Sequence, residues 1–212
     1  ISFGEDLKAR IDKSLCINCG MCAKACPYNA IQSRQRPCIT ACKANAISTG
    51  EDGAAHINDE KCITCGACVY QCPFGAISDR SSIVQIIENL KNPEKHVYAI
   101  VAPAIASQFD YAKVLQVVTG IKMLGFHQVI EAALGADMVA YSEAQEFVEK
   151  GQLASSCCPA FVRYIRTFFP TLADKISHNP SPMIAVGRYL KSIDDKAVTV
   201  FVGPCTAKKR EA

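Results

Sequence analysis

The chain has 212 residues, half of them hydrophobic, a formal charge of +3 and thirteen cysteines, which allows one or two domains with a sizeable core. No apolar run is long enough to span a membrane, Glu5, Asp6, Lys8 and Arg10 stand where a signal peptide would need an apolar segment, and no basic stripe interleaved with aromatics marks a nucleic-acid surface. Cysteines at metal-loop spacing argue for reduced thiols, so the expectation is a cytoplasmic, anaerobic-type protein and not a secreted disulfide scaffold.

The first element is a cysteine run that occurs twice. Cys16, Cys19, Cys22 and Cys26 precede Pro27, and Cys62, Cys65, Cys68 and Cys72 precede Pro73. Each reads C-x-x-C-x-x-C-x-x-x-C-P, the bacterial ferredoxin pattern for [4Fe–4S] ligation, in which three thiolates on one tight loop hold one cube and the fourth reaches the other cluster. That rule assigns Cys16, Cys19, Cys22 and Cys72 to one cluster, and Cys62, Cys65, Cys68 and Cys26 to the other. Gly20 and Gly66 occupy the same place in each loop, where a glycine lets the backbone turn tightly. Two such clusters with their thiolates carry roughly −2 each, which brings the formal +3 to a net charge near −1.

Between the runs lies a third, degenerate copy. CPYNAI (26–31), CKANAI (42–47) and CPFGAI (72–77) share one pattern, and the middle one carries Cys38 and Cys42. These two are read as alternative ligands, a labile extra site or plain buried thiols, since two cysteines alone complete no cube. The missing initiator Met suggests that the N-terminus lies upstream.

The polar stretch Asp79–Ser82 marks a boundary, giving expected domains of 1–80 and 81–212. Ser81 is placed to cap a helix over IVQIIENLK, which Asn92–Pro93 stops. Then strands and helices alternate: strand 96–102; helix 111–124 with Val114, Leu115, Val118, Ile121 and Met123 mostly inward; strand FHQVIEAA; helix 138–150; a short strand LASS; helix 159–169; helix 182–190; strand 197–203. Apolar strands alternating with helices predict an α/β domain around a parallel sheet.

SSCCPAF (155–161) sets Cys157 and Cys158 between a strand and a helix, and GPCTAKKRE (203–211) sets Cys205 after another strand. The carboxyl ends of parallel strands are where such folds build sites, and a helix N-terminus there favours a thiolate. A lone cysteine is more often an inert apolar filler; an adjacent pair plus a third at an equivalent strand end is not easily read that way. His56, His96, His127 and His178 have no zinc spacing, and neither a dinucleotide nor an NTP loop is present.

SSCCPAF resembles the first signature motif of the iron-only, or [FeFe], hydrogenases, usually TSCCPxW. GPCTAKKRE is similar to their second, usually MPCxxKxxE, and GFHQVIEAALGADMVAYSEAQEF (125–147) to the stretch before the first. The resemblance covers nearly the whole chain. It implies an α+β ferredoxin-like dicluster domain followed by part of an α/β hydrogenase catalytic domain, two [4Fe–4S] clusters and an H-cluster, a cube joined to a two-iron centre, for the reaction 2H⁺ + 2e⁻ ⇌ H₂. By motif match Cys158 and Cys205 bind that cube, Cys157 passes protons, and Lys208 hydrogen-bonds a cyanide. Glu146, Ser177 and Glu211 match the proton path, which Glu143 extends. Implied partners are a ferredoxin or other electron carrier, protons and H₂, with no nucleic acid and no membrane.

Ser155 stands for the usual Thr, Phe161 for Trp and Gly203 for Met. The family's third motif is absent, so the chain is expected to be a fragment that holds no complete H-cluster and is inactive alone. Two other readings stand beside the enzyme: a hydrogenase-like iron–sulfur protein without H₂ chemistry, such as an assembly factor or sensor, and an electron-transfer ferredoxin, which leaves Cys157, Cys158 and Cys205 unexplained.

Overall fold

A computed structural model of the chain describes residues 1–17, 19–31 and 35–212. They form two compact units, Ile1–Arg36 and Pro37–Ala212. In the first, β1 (Ser2–Phe3) pairs antiparallel with β2 (Ala9–Arg10), Ser2 facing Arg10. The cysteine loop then enters α1 (Met21–Ala25) through Gly20 at φ 72°, a left-handed conformation that penalises any side chain. None of this unit's described residues is buried.

The second unit begins with α2 (Pro37–Ala41), β3 (Ile47–Thr49) and β4 (Ala55–Ile57). The two strands form a hairpin in the register Ile47 to Ile57, Ser48 to His56 and Thr49 to Ala55. The second cysteine loop enters α3 (Ala67–Tyr70) through Gly66 at φ 79°, as the first enters α1. The three CxxxAI segments form one turn three times: Asn29, Asn45 and Gly75 have φ of 50°, 49° and 62°. Each donates its N–H to the carbonyl of the cysteine three residues earlier, at 3.3, 3.1 and 3.3 Å. Asparagine and glycine are the residues that enter this backbone region most readily.

Helix α4 (Ile83–Lys91) starts where Ser81 Oγ accepts the Ile83 N–H at 3.3 Å, with Ser82 at the cap position itself. A parallel sheet follows, built from β5 (His96–Val101), helix α5 (Val114–Met123), β6 (Gln128–Glu131), α6 (Ala132–Lys150), α7 (Pro159–Phe168), α8 (Pro182–Ile193) and β7 (Ala197–Val202), with a last helix α9 (Thr206–Glu211). Strand order is β6-β5-β7, with Ala99 between Val129 and Val200. Central β5 is buried from Val97 to Val101, the continuous apolar run of a strand covered on both faces. Its Ile100 packs in one core with Val186 and Leu190 of α8.

Several expectations need correction. Helix α6 begins at Ala132, not Met138. Within it, a Cβ at Gly135 would collide with the Pro182 carbonyl oxygen and lie 2.7 Å from Val186 Cγ2. The glycine is what lets α8 approach. On α5, Leu115 and Met123 are exposed, and only Val117, Val118 and Ile121 are half-buried. A helix beside the edge strand β6 covers one stripe and leaves the other bare. LASS makes a single parallel bridge, Ala154 to Ile176, and not a strand. Helix α8 runs on to Ile193. The second compact unit runs through residues 80 and 81, and in it side chains of α7 and α9 bind the segment around Cys62 directly.

Candidate metal and catalytic site

The loop of Cys62, Cys65 and Cys68 wraps a cavity of about 420 Å³. Cys42 also lines it, and the walls are otherwise mainly apolar, with Ile47 and Ile77 among them. The Thr64 N–H points at Cys62 Sγ, 3.4 Å away, and the Ala46 N–H at Cys42 Sγ, 3.2 Å away. Burial, with the neighbouring Cys62 and Cys65 adding to it, pushes the Cys68 thiol up. Backbone N–H groups of Ile77 and Phe74 pull Cys72 down, and those of Ala30 and Tyr28 do the same for Cys26. Among the described residues no three Cys, His, Asp or Glu side chains converge as they would on a single ion. A cube is larger, with its thiolates at separate corners. A mainly apolar cavity lined by four cysteines, two of whose sulfurs accept backbone N–H groups, fits the chemistry of a [4Fe–4S] cluster. In the first unit Cys16, Cys22 and Cys26 are half-buried and Cys19 is exposed.

Cys158 and Cys205 are the cap residues of α7 and α9, with nearly equal backbone angles, φ −107° ψ 105° and φ −101° ψ 112°. Cys157 and Cys158 are exposed and Cys205 is half-buried. Lys208 Nζ donates to the Cys157 carbonyl at 3.2 Å and lies 3.7 Å from Glu211 Oε2. That carboxylate accepts the Ser181 hydroxyl at 2.8 Å, and Ser181 is fully buried. The two signature motifs therefore meet through Lys208. At Gly203 a Cβ would stand 2.7 Å from the Phe201 ring, so the space the family's Met would need is filled by Phe201.

Of the sequence-predicted proton-path residues, Glu143 and Glu146 lie on α6, Ser177 in the loop before α8 and Glu211 on α9. Ser142, Glu146 and Lys150 recur at four-residue intervals along one stripe of α6. Glu146 accepts Ser177 Oγ at 2.8 Å, Lys150 Nζ at 2.7 Å, His178 Nδ1 at 2.8 Å and Asn179 Nδ2 at 3.1 Å. Lys150 and then His178 hold its carboxyl down to a pKa of about 2. Glu143 accepts Ser155 Oγ at 3.0 Å and the Ser156 N–H at 3.2 Å, and Ser155 Oγ accepts the Cys157 N–H at 3.3 Å. Ser156 Oγ closes the chain by donating to the Asn179 carbonyl at 2.5 Å. Glu143, not Glu146, stands next to the cysteine pair. Glu211 belongs to a second branch with Ser181 and Lys208. A cavity of about 490 Å³ lies between the branches, lined by Ser156, Ser177, Asn179, Ser181 and Glu211. Sequence reasoning missed Lys150, His178, Asn179 and Ser181. The polar run HNPS directly after Ser177 was the available signal.

The cysteine loop also touches this site. Thr206 Oγ1 donates to the Thr64 carbonyl at 2.8 Å, and a Cβ on Gly66 would come within 2.6 Å of that hydroxyl. Arg163 Nη2 donates to the Asp59 carbonyl at 2.5 Å, Arg210 lies 3.7 Å from Asp59 Oδ1, and Lys209 pairs with Asp79. Lys209 holds the Asp79 carboxyl below the usual carboxylate range.

The sequence matches the iron-only hydrogenase large subunit, C-terminal domain, over residues 95–212, and a 4Fe–4S dicluster domain over residues 15–76. The chain belongs to the iron-only hydrogenase large-subunit family. It is 31% identical over 156 residues to iron hydrogenase 1 of Clostridium pasteurianum, covering 63% of this chain and 27% of that protein. It is 29% identical over 157 residues to the NADP-reducing hydrogenase subunit HndD of Solidesulfovibrio fructosivorans, covering 61% and 27%. It is 27% identical over 150 residues to the cytosolic Fe-S cluster assembly factor NAR1 of Candida dubliniensis, covering 60% and 26%. The chain thus spans about a quarter of the length of these relatives. Among the described residues no helix is long and apolar enough to cross a membrane.

Proposed function

We propose that this chain is the electron-input region and part of the catalytic domain of a cytoplasmic [FeFe]-hydrogenase that exchanges electrons with a ferredoxin or similar carrier. The observation that carries the reading is the docking of the Cys62–Cys68 loop on α9, through Thr206 and Thr64 at 2.8 Å. It sets a cluster loop one residue from Cys205, so electrons held by the loop stand next to the second signature motif.

An H-cluster, bound in the full-length protein, would supply the reversible chemistry 2H⁺ + 2e⁻ ⇌ H₂. Cys158 and Cys205 would hold its cube as thiolates from two helix caps. Exposed Cys157 holds a proton on Sγ, and Lys208, already anchored by Glu211, presents an ammonium donor beside it. Glu143 lies one hydroxyl, Ser155, from Cys157. Glu146 and Ser177 continue the route outward through Asn179 and Ser156. Because Lys150 and His178 keep Glu146 ionised, its turn in a relay requires one of those partners to move away or to give up its own proton.

Likeness to the assembly factor keeps a second reading in view, in which the same fold holds clusters without H₂ chemistry; the presence of both Cys157 and Lys208 in the two motifs favours the enzyme. Infrared spectroscopy of the full-length protein, matured with its cofactor, separates the two. Carbonyl and cyanide bands are expected, and their absence overturns the hydrogenase reading. Cys157→Ala should keep those bands and lose most turnover.

A further inference from the structure

We propose that Cys42, in place of Cys26, is the fourth ligand of the cube held by Cys62, Cys65 and Cys68. The inference rests on the iron–sulfur reading of that loop.

Four cysteines line the cavity inside the loop: Cys42, Cys62, Cys65 and Cys68. Four thiolates are what one cube needs. Cys38, one helical turn before Cys42, is buried and does not line it. Cys72, the last cysteine of the same run, does not line it either. Among the described residues of this unit, Cys42 is therefore the cysteine outside the loop that lines this space.

The backbone explains how it gets there. Helix α2 packs against α3, the helix that carries Cys68. Between the two, hairpin β3–β4 folds the chain back on itself, and two hydrogen bonds extend it. The Asn58 N–H donates to the Ala46 carbonyl at 2.8 Å, and the Cys62 N–H to the Asn58 carbonyl at 2.9 Å. The turn that bears Cys42 is thereby tied to the residue that opens the loop.

The turn is also of the right kind. Asn45 at φ 49° matches Asn29 and Gly75, so Cys42 occupies the position that Cys26 and Cys72 hold in their own runs. That position is the one whose thiolate reaches a cube held by another loop. The Ala46 N–H, 3.2 Å from Cys42 Sγ, supports the charge of a ligating sulfur. On ligation the thiol proton leaves to solvent and the sulfur binds iron as thiolate. The middle segment is then a working half-motif that has kept its last two cysteines.

The test uses the full chain reconstituted anaerobically with ferrous iron and sulfide, read by iron content and electron paramagnetic resonance. Cys62→Ser is the reference, and it should lose one cube or convert it to a three-iron form. If it loses nothing, the iron–sulfur reading itself fails. Given that reference, Cys42→Ser should damage the same cube, and the double variant Cys42→Ser/Cys62→Ser should lose no more iron than Cys62→Ser alone. Cys26→Ser and Cys38→Ser should leave that cube intact. Full iron and an unchanged spectrum in Cys42→Ser overturn the proposal, as does a loss that adds to that of Cys62→Ser. Alkylation of the unmutated protein guards against a misfolded variant. Cys42 should be modified in the apo form and protected in the reconstituted one; equal modification in both overturns the assignment.

Discussion

The first compact unit and the parallel sheet are stabilised by different means. Among its described residues, Ile1–Arg36 buries nothing and orders its chain with two-residue strands and a five-residue helix. The sheet buries all of Val97–Val101 and stacks Ile100 against Val186 and Leu190. A unit with no apolar core of its own cannot offset its chain entropy by packing. The difference teaches that the cluster in such a loop is the core, so metal binding and folding are one event there. The sheet should be indifferent to iron.

Removing iron gives the largest expected effect. Treating the reconstituted protein with a chelator under reducing conditions should abolish hydrogen-exchange protection through residues 16–31 while β5 and α8 keep theirs. Equal loss in both regions would break the comparison. The reverse experiment is Leu190→Ala. Leu190 is 2% exposed, and such truncations cost about 2–5 kcal/mol. Denaturation should show that loss in the sheet with the iron content unchanged.

The same contrast governs what the sequence could reveal. Strand β5 was legible because a strand covered on both faces must be apolar throughout. The cysteine loops were legible because cluster geometry fixes their spacing. Even the repeated turn could be read, since Asn29, Asn45 and Gly75 fall at the same place. What stayed hidden was set by tertiary approach. Nothing in the local pattern marks Gly135 as the place where Pro182 lies against α6. Leu115 and Met123 had helical spacing, but spacing says nothing of whether a partner covers them. Apart from Lys150 on its own helix, the partners of Glu146, namely Ser177, His178 and Asn179, arrive from a loop some thirty residues away, with no periodicity to announce them.

Glu146 supplies the next effect, and it depends on pH. Its pKa falls from 4.5 to about 2 in the folded chain. The unfolded chain therefore takes up a proton first as pH drops. The stabilisation is complete above about pH 4.5 and is lost progressively toward pH 2. Hydrogen bonds to a charged group are worth about 1.5–3 kcal/mol. Glu146→Gln should cost about that much at neutral pH, and the gap from the parent should close as pH falls through this window. A gap independent of pH would mean that the ionised carboxylate is not what holds the Ser177–Asn179 loop.

Thr206→Val is the smallest expected change and the most local. It removes the donor to the Thr64 carbonyl but keeps the methyl that packs on Gly66. Loss of one neutral hydrogen bond costs about 0.5–1.5 kcal/mol, so neither the sheet nor the iron content should alter. If the cluster alone shapes its loop, exchange at Cys65 and Gly66 should match the parent. If α9 also positions the loop, those amides should exchange faster and the reduction potential of that cube should shift, since solvent gains access to its sulfurs. The docking seen between Thr206 and Thr64 requires the second result. An unchanged potential would confine the cluster's environment to its own loop and remove the physical link between the cube and Cys205.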